Sequence, residues 1–503
     1  MRTGNKGALE AISPYLIFGI YLLVIAAIYI LTLRPGIGWG DDFAMYIALA
    51  KNIASGHVYV QTGYIPNPYN PNLSPTAYPP VFPLILAPIY MMFGLDIHAM
   101  KITLVVVFLA MLTLCYVYAR RRLDNKILTY LYMGAMGLSP WLWRMRGGIV
   151  SDIPFMFFVF LSLLLAEVAL VTMEETGDTW VRMLLAFVAG VATYLAYGAR
   201  EVGGLLIPVF ILFDILRHRR ISGASIVITA TFAALALVQR HFVHSEAGYA
   251  EILTMYHWSV FPDHAMAYAR LIVGYWGDDG LGKVGGVLVF LIVAPLYVIG
   301  WVWGFSQRKS IYSIFVPAYM CVLIVVPIIG GNRYLLPILP FLLLDIFLGI
   351  KVVGYRFGIA KERAIATVVV VAVVASYAFW YKNQHLGPIA DGPYSEQSRQ
   401  LFSFIRKQTR PDSVFIFRKP RALALFTDRR AAAPPLPGQY STLWPYIQSI
   451  GADYVIVKYA GLQFDKQPYL ENWAKENQQR LDLVFSNDWF QVYRIKGAHL
   501  GQT

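Results

Sequence analysis

Two adjacent aspartates, Asp41 and Asp42, follow the first long apolar run of the chain. Asp42 to Ala54 has apolar residues at helical spacing, which predicts a short helix lying on the membrane surface. Two neighbouring carboxylates raise each other's proton affinity, and partial loss of water at a lipid boundary adds to that effect. One of the two carboxylates could therefore act as a general base towards a hydroxyl.

A structural role explains the same two residues equally well. Helix starts select acidic residues, so Asp41 could be an N-cap whose side chain accepts a backbone N–H. Asp42 would then favour the positive end of the helix dipole. Residue type and spacing leave both interpretations open.

Three arginines, Arg146, Arg200 and Arg333, lie at the ends of apolar runs on the membrane face that has few basic residues. These positions run against the usual enrichment of basic residues on the cytoplasmic side. A guanidinium at such a position suits an anionic lipid phosphate. For any single arginine, the alternative is that its side chain extends into the headgroup region.

Further polar and aromatic residues accompany these arginines as candidates for substrate binding. Tyr78 opens the proline-rich segment YPPVFP, for which a stiff loop with an interfacial tyrosine is a sufficient explanation. Asp152 lies close to the membrane in the turn that also contains Arg146, and Tyr334 follows Arg333 in GGNRY.

The evidence for a metal site is weaker. His241, His244, His257 and His264 share one loop, but no glutamate completes a zinc-protease-like motif. The two cysteines of the chain both fall inside apolar runs and have no metal-type spacing. No cofactor is predicted with certainty, and a divalent metal stays open.

Composition indicates an integral membrane protein. Of 503 residues, 57% are hydrophobic and 14% are charged, against roughly 25% charged in a soluble domain. The net charge of +13 comes from clusters at the ends of apolar runs, so nucleic acid is not expected as a partner and anionic lipid is. Spans need roughly 17–25 apolar residues, and about eleven runs qualify. They are Pro14–Leu33, Met100–Tyr118, Ile127–Trp143, Ile153–Thr172, Val181–Gly198, Val202–Leu216, Ile221–Val238, Val284–Phe305, Ile311–Ile329, Leu335–Val353 and Ile365–Trp380.

The side of each loop follows from the basic clusters. Pro80–Phe93 is apolar but short, and it is predicted not to cross the membrane. All dense Lys and Arg clusters then fall on one face, which predicts a cytoplasmic N-terminus. Residues 34–99 and 239–283 become outer loops, and the C-terminal region lies outside.

The polypeptide divides into two predicted domains. Residues 1–382 form the helical membrane domain, and residues 383–503 form a small extracytoplasmic α/β domain. Strands SVFIF and YVIVKY alternate with helical stretches there, and two further strands end the domain at Phe490–Ile495. No phosphate loop, nucleophile elbow or metal spacing is visible in this domain, so catalysis within it alone is not expected.

Taken in order, several motifs resemble the membrane-embedded GT-C glycosyltransferases over roughly residues 10–350. Within that superfamily they are most similar to the family 39 group, which contains protein mannosyltransferases and the aminoarabinose transferases acting on lipid A. The motifs are GDDFAMYIALAKNIASG, AYPPVFPLILAPIYMMFG, RMRGGIVSDIPFMFFVFLSLLLA, LAYGAREVGGLLIPVFIL and GGNRYLLPILPFLLL.

The resemblance implies a many-helix fold with its active site on the outer face, a polyprenyl-monophosphate sugar donor, and inversion at the anomeric carbon. It implies that Asp41 is the catalytic base, whereas Asp42 stands where the family commonly has glutamate. Asp152 matches the acidic residue of the second outer loop, and Arg333 resembles the basic residue that approaches the donor phosphate. Tyr78 stands where lipid A-type members have lysine, which weakens any transfer of specificity.

The sequence thus predicts an inverting glycosyltransferase of the cell (inner) membrane. Its partners would be a polyprenyl-phosphate-linked sugar, a glycan, lipid or protein acceptor, and membrane lipid. The alternative is a secondary transporter or lipid flippase, suggested by the number of helices and by Asp345 in the middle of a span. Transporters usually show repeated halves and broken helices, and the sequence shows neither pattern.

Overall fold

The computed structural model describes residues 14–70, 78–172, 179–243, 260–277, 281–307, 310–326, 329–458 and 469–497. Within these ranges the chain forms an α-helical bundle with one mixed sheet near one end. The candidate metal ligands His244 and His257 lie outside the described residues, so the predicted outer loop 239–283 is described only in part.

Most of the helices follow the apolar runs of the sequence. In chain order they are α1 Pro14–Leu31, α2 Asp42–Ser55, α3 Val81–Phe93, α4 Ile97–Leu123, α5 Lys126–Gly137, α6 Pro140–Met145, α7 Asp152–Glu167, α8 Thr179–Ala199, α9 Leu206–His218, α10 Gly223–Phe242, α11 Phe261–Gly274, α12 Gly282–Ser306, α13 Tyr312–Val325, α14 Asn332–Leu335, α15 Leu339–Phe357, α16 Ile359–Lys382, α17 Glu396–Gln408, α18 Pro420–Thr427, α19 Leu443–Ile450 and α20 Tyr469–Glu476.

Six of these segments are long and apolar enough to cross a bilayer, so the chain is a multi-pass membrane protein. The six are Ile97–Leu123, Asp152–Val171, Thr179–Ala199, Gly223–His241, Gly282–Ser306 and Ile359–Lys382. Every one of the eleven predicted spans overlaps a helix, but several of those helices are short or interrupted. The total of eleven crossings therefore stays a prediction.

Helix α3 is shorter than the hydrocarbon layer of a bilayer is thick. Its 13 residues extend about 20 Å at 1.5 Å per residue, against a hydrocarbon thickness of about 30 Å. It packs against α2 instead, and its first turn buries Val81 and Phe82. The two short helices together form a platform beside the end of the bundle.

Close helix packing fixes the later part of the bundle. A Cβ atom on Gly300 of α12 would collide with the carbonyl oxygen of Asp345 in α15, and one on Gly349 would collide with the carbonyl oxygen of Leu296. Small residues on both faces let the two backbones approach each other, as is common between membrane helices. Because α15 starts four residues after α14, this contact also fixes the segment that contains Arg333.

The sheet has six strands in the order β1-β3-β2-β4-β6-β5. The strands are β1 Tyr64–Ile65, β2 Val414–Ile416, β3 Arg430–Ala432, β4 Tyr454–Lys458, β5 Leu481–Ser486 and β6 Phe490–Ile495. Strands β1, β3, β2 and β4 are parallel to one another, and β6 is antiparallel to both of its neighbours, β4 and β5. The α/β character predicted for residues 383–503 is therefore present in the described part of that region.

Two strands of this sheet, β1 and β3, were not predicted from the sequence. Strand β1 belongs to the loop between α1 and α4, and it pairs with β3 through Tyr64 opposite Ala431 and Ile65 opposite Ala432. Helix α18 also packs against α2. The first loop and the C-terminal unit, by which we mean residues 396–458 and 469–497, consequently lie on the same side of the bundle.

This shared side gives a direct labelling test. In a background with Cys115 and Cys321 replaced by alanine, we expect Val58→Cys and Leu483→Cys to react with an impermeant maleimide from the same side of sealed membranes. Ile221→Cys, between α9 and α10, should react only from the opposite side. Val58, Leu483 and Ile221 are all exposed in the structure. Labelling of Val58→Cys and Leu483→Cys from opposite sides would contradict this arrangement.

Candidate active site

Asp41 and Asp42 stand where an extended segment turns into helix α2. The helix starts at Asp42 and ends before Gly56, whose φ of 67° allows the left-handed closing residue. Asp41 occupies the N-cap position, but its side chain makes no capping hydrogen bond to its own helix. The carboxylate instead accepts the backbone N–H of Ala422 at 3.3 Å, in the first turn of α18.

The Asp41 carboxylate is buried against the C-terminal unit, with only 6% of the residue exposed. Its Oδ2 has no hydrogen-bond partner among the described residues, and Nε of Arg421 lies 3.8 Å from it. Burial raises the pKa of Asp41, and the positive charges of Arg421 and Lys419 offset only part of that effect. Asp41 is therefore the more basic of the two adjacent carboxylates.

Asp42 has the opposite electrostatic balance. Its Oδ1 accepts the hydroxyl proton of Tyr78 at 2.8 Å, and its Oδ2 accepts Nη1 of Arg333 at 2.8 Å. Burial alone would raise the pKa of Asp42, but Arg333, Tyr78 and Arg421 together lower it below the ordinary value. The lowered pKa means that Asp42 is ionised at neutral pH, and its side chain is 39% exposed.

Arg333 links the first loop to the bundle. Its Nε donates to Oδ2 of Asp152 at 2.6 Å while its Nη1 bonds Asp42. Burial alone would lower the pKa of Arg333, but Asp152 and Asp42 raise it overall, so the guanidinium stays charged. Gly331, with a φ of 65°, lets the backbone turn into the short helix that presents this side chain.

Arg200 completes this side of the cluster. Asp152 is fully buried, and its second oxygen pairs with Nη1 of Arg200. The Arg200 guanidinium also lies over the ring of Tyr334, 4.9 Å from the centroid. Four parts of the chain, from α2, α7, the end of α8 and α14, therefore meet through two aspartates and two arginines.

Most predicted site residues come together in this way, and Arg146 does not. Its Nε and Nη2 donate to Thr32 and its Nη1 to the carbonyl oxygen of Trp143. These bonds hold the end of α1 against α6, apart from the carboxylates. The substrate-binding role predicted for Arg146 has no support in these contacts.

The sequence analysis missed two cations of the cluster. Arg421, 3% exposed, donates Nη1 to the Tyr78 hydroxyl at 2.5 Å and lies over the rings of Tyr64 and Tyr78. Lys419 acts electrostatically on both Asp41 and Asp42. Neither residue lies in a recognisable motif, so no local signal in the sequence pointed to them.

The side chains present do not form a good divalent-metal site. The carboxylates of Asp42 and Asp152 are bonded to guanidinium groups, which a metal ion would have to displace. In the described ranges no three His, Cys, Asp or Glu side chains are grouped to hold a metal.

Asp345, which motivated the transporter alternative, is fully buried in α15. Its Oδ1 accepts the hydroxyl proton of Tyr312 at 2.6 Å. Asp345 therefore has a polar partner on a neighbouring helix, α13.

No family model matches the sequence, and no curated protein sequence matches it. Solved structures do match, with probability 1.00. ArnT from Cupriavidus metallidurans bound to undecaprenyl phosphate superimposes over 95% of this chain and 97% of its own, with 12% identity and a TM-score of 0.59. The apo oligosaccharyltransferase of Archaeoglobus fulgidus covers 90% of this chain and 70% of its own, with 12% identity and a TM-score of 0.60.

A third match is the oligosaccharyltransferase AglB from Archaeoglobus fulgidus in complex with an inhibitory peptide and a dolichol-phosphate. It covers 87% of this chain and 69% of its own, with 13% identity and a TM-score of 0.57. All three matches are GT-C superfamily glycosyltransferases. The chain therefore has the GT-C fold, and the resemblance seen in its motifs is confirmed at the level of the fold.

The ion pairs of Asp152 generate a stability prediction. Asp152→Asn leaves Arg200 and Arg333 close together without the buried charge between them, and we expect a loss of about 3 kcal/mol in the free energy of unfolding. Chemical denaturation in detergent measures it. Asp428→Asn is the matched control, because Asp428 is exposed and its pair with Lys51 should be worth less than about 1 kcal/mol. Equal free energies of unfolding for Asp152→Asn and Asp428→Asn would show that Asp152 is not the anion that holds Arg200 and Arg333 together.

Proposed function

We propose that this protein is an inverting glycosyltransferase that moves a sugar from a polyprenyl-phosphate donor to an acceptor hydroxyl at the outer face of the membrane. The observation that carries the proposal is a buried carboxylate, Asp41, beside a set of guanidinium groups on a GT-C fold. The undecaprenyl phosphate in the ArnT structure and the dolichol-phosphate in the AglB structure belong to the lipid class that such a donor would release.

The charge of the site supports a monophosphate donor. Among the described residues, four cations face three carboxylates, which leaves one positive charge in excess. The cations are Arg200, Arg333, Lys419 and Arg421, and the carboxylates are Asp41, Asp42 and Asp152. A sugar on polyprenyl monophosphate is a phosphodiester with one negative charge, whereas a diphosphate linkage carries two. The excess charge of the site equals that of the monophosphate.

Asp41 is the proposed general base. Its raised pKa makes it a stronger proton acceptor than Asp42, and its Oδ2 has no hydrogen-bond partner among the described side chains. In the reaction, Asp41 takes the proton of the acceptor hydroxyl while that oxygen attacks the anomeric carbon. The bond from this carbon to the phosphate oxygen breaks on the opposite face, which inverts the configuration.

Arg333 is the proposed ligand of the departing phosphate. The polyprenyl phosphate leaves with an additional negative charge, and a permanently charged guanidinium stabilises that charge as it develops. Asp42 and Asp152 hold Arg333 from two directions, so its position is set before substrate binds. Asp42 is thus proposed to be a positioning residue and not the base.

The burial of Asp41 has a mechanistic consequence. Asp41 Oδ2 is covered, and Arg421 is the cation next to it. An acceptor hydroxyl therefore reaches this oxygen only after a local rearrangement that uncovers it. Asp42 is the more accessible carboxylate, and it is the second candidate for the base on that ground.

Two isosteric variants separate these assignments. We expect Asp41→Asn to lower kcat for transfer from a labelled lipid donor by about 10²–10⁴-fold, because the amide accepts no proton. Asp42→Asn should chiefly raise KM for the donor, because Arg333 loses a partner. Asp412→Asn, at an exposed position of the C-terminal unit, is the matched control and should behave as the unaltered protein does. Loss of kcat in Asp42→Asn with full activity in Asp41→Asn would reverse the two roles.

The arginine-paired carboxylates also predict metal independence. Transfer measured in membranes treated with EDTA should equal that in membranes supplied with Mg²⁺ or Mn²⁺, because guanidinium groups already supply the positive charge that a metal would bring. A loss of activity in EDTA that Mn²⁺ restores would contradict this prediction. Analysis of lipid-linked glycans in a deletion strain would then identify the sugar and the acceptor together.

A further inference from the structure

The C-terminal unit reaches the acidic pair through three separate contacts. Strand β1 of the first loop pairs with β3, helix α18 packs against α2, and Lys51 of α2 pairs with Asp428 at the end of α18 at 2.6 Å. The start of α18 is thereby fixed beside Asp41. Residues of this unit are close enough to take part in the chemistry of the site.

Two groups from this unit face the Asp41 carboxylate directly. The backbone N–H of Ala422 donates to Oδ1 at 3.3 Å, and Nε of Arg421 lies 3.8 Å from Oδ2. An anion at this position also lies at the positive end of the α18 dipole. Asp41 is therefore held by the C-terminal unit, although it belongs to the loop that follows α1.

Arg421 itself is held rigidly. Its guanidinium lies over the rings of Tyr64 and Tyr78, with its carbon 4.8 Å and 5.1 Å from their centroids. Its Nη1 donates to the Tyr78 hydroxyl, which in turn donates to Asp42. The same Nη1 lies 3.8 Å from Oδ1 of Asp42. One buried cation thus contacts both members of the acidic pair.

We propose that Arg421 is a positioning residue of the active site, which keeps Asp41 ionised and oriented, so that the C-terminal unit is a required part of the catalytic centre. This inference rests on the proposed function for its catalytic meaning. A carboxylate as buried as Asp41 takes up a proton unless a cation lies close to it. A protonated Asp41 cannot accept a proton from the acceptor.

The other charged and titratable groups around Asp41 define what the test must separate. Lys419 precedes α18, Asp42 is the neighbour in sequence, and Tyr64 of β1 is coupled electrostatically to Asp41. Of the groups that lower the pKa of Asp41, Arg421 has the largest effect. Its removal should therefore raise that pKa, with Lys419 left as the remaining cation.

The first experiment reads the protonation of Asp41 without using sugar transfer. A membrane-permeant carbodiimide modifies protonated carboxyl groups, and mass spectrometry of the Asp41 peptide gives the pH midpoint of the modification. We expect Arg421→Gln to move this midpoint up by about one pH unit or more, and Arg421→Lys to leave it near that of the unaltered protein. Arg430→Gln is the matched control, because Arg430 is an exposed arginine on β3 of the same unit.

The second experiment measures transfer against pH for the same proteins. In Arg421→Gln the acid limb of the kcat profile should shift to higher pH by the same amount as the labelling midpoint, with activity regained at alkaline pH. A structural defect would lower activity at every pH. An unchanged labelling midpoint in Arg421→Gln overturns the inference, whatever the activity.

The two proposals can also fail separately. If the midpoint shifts but Asp41→Asn still transfers sugar, the assignment of Asp41 as base is wrong. The proposal that Arg421 keeps Asp41 ionised is then supported, and the proposal that this is needed for catalysis is overturned. If the midpoint and the acid limb shift together, both proposals are supported.

Discussion

A buried carboxylate stays charged only when a cation is held close to it, and this requirement organises one end of the molecule. Asp152 is paired with two guanidinium groups, Asp42 with one guanidinium and a tyrosine hydroxyl, and Asp41 with Arg421. The partners come from distant parts of the chain. Charge compensation therefore links the helical bundle, the segment between α13 and α15, and the C-terminal unit in one structure.

The helical bundle fixes the positions of the charged side chains. Lys101 of α4 donates to the carbonyl oxygens of Arg34 and Gly36 at 3.0 Å and 2.6 Å, which holds the non-helical segment just before the acidic pair. The close approach of α12 and α15 at Gly300 and Gly349 does the same for the segment before α15. Contacts of the helices therefore fix the backbone of the segments that carry the charged side chains. The ion pairs then join segments that already lie close together.

Much of this could be predicted from the sequence, because apolar length and basic clusters are local signals. The helices were predicted in that way, and the solved GT-C structures confirm the fold. The acidic pair, Asp152 and Arg333 were singled out from residue type, position and the motif resemblance, and their roles stay predictions. Helix count was less predictable: Ile127–Trp143 looked like one span, but the backbone ends α5 at Gly137 and starts α6 at Pro140. Proline is favourable at a helix start. Within an apolar run, however, a proline does not change the hydropathy enough to reveal the helix boundary.

Contacts between distant segments could not be predicted in that way. Arg146 has the same residue type and the same predicted membrane face as Arg200, and only the position of Thr32 just after α1 shows that it bonds elsewhere. Arg421 lies in a region with no motif, and it enters the site because α18 packs on α2. A strand of two residues such as β1 has no periodicity to detect, so its pairing with β3 was also invisible.

The pairing of β1 with β3 also has a consequence for biogenesis. The adjacent bond from Asn67 to Ala433 joins residues 366 positions apart, so the sheet closes only after nearly the whole chain has been synthesised and inserted. Until then, the segment that contains β1 has no partner strand. Pairing between residues so far apart in the sequence is also slow. Assembly of the acidic cluster is consequently a late event, and a chain that stops before α18 lacks both the helix that packs against α2 and the arginine beside Asp41.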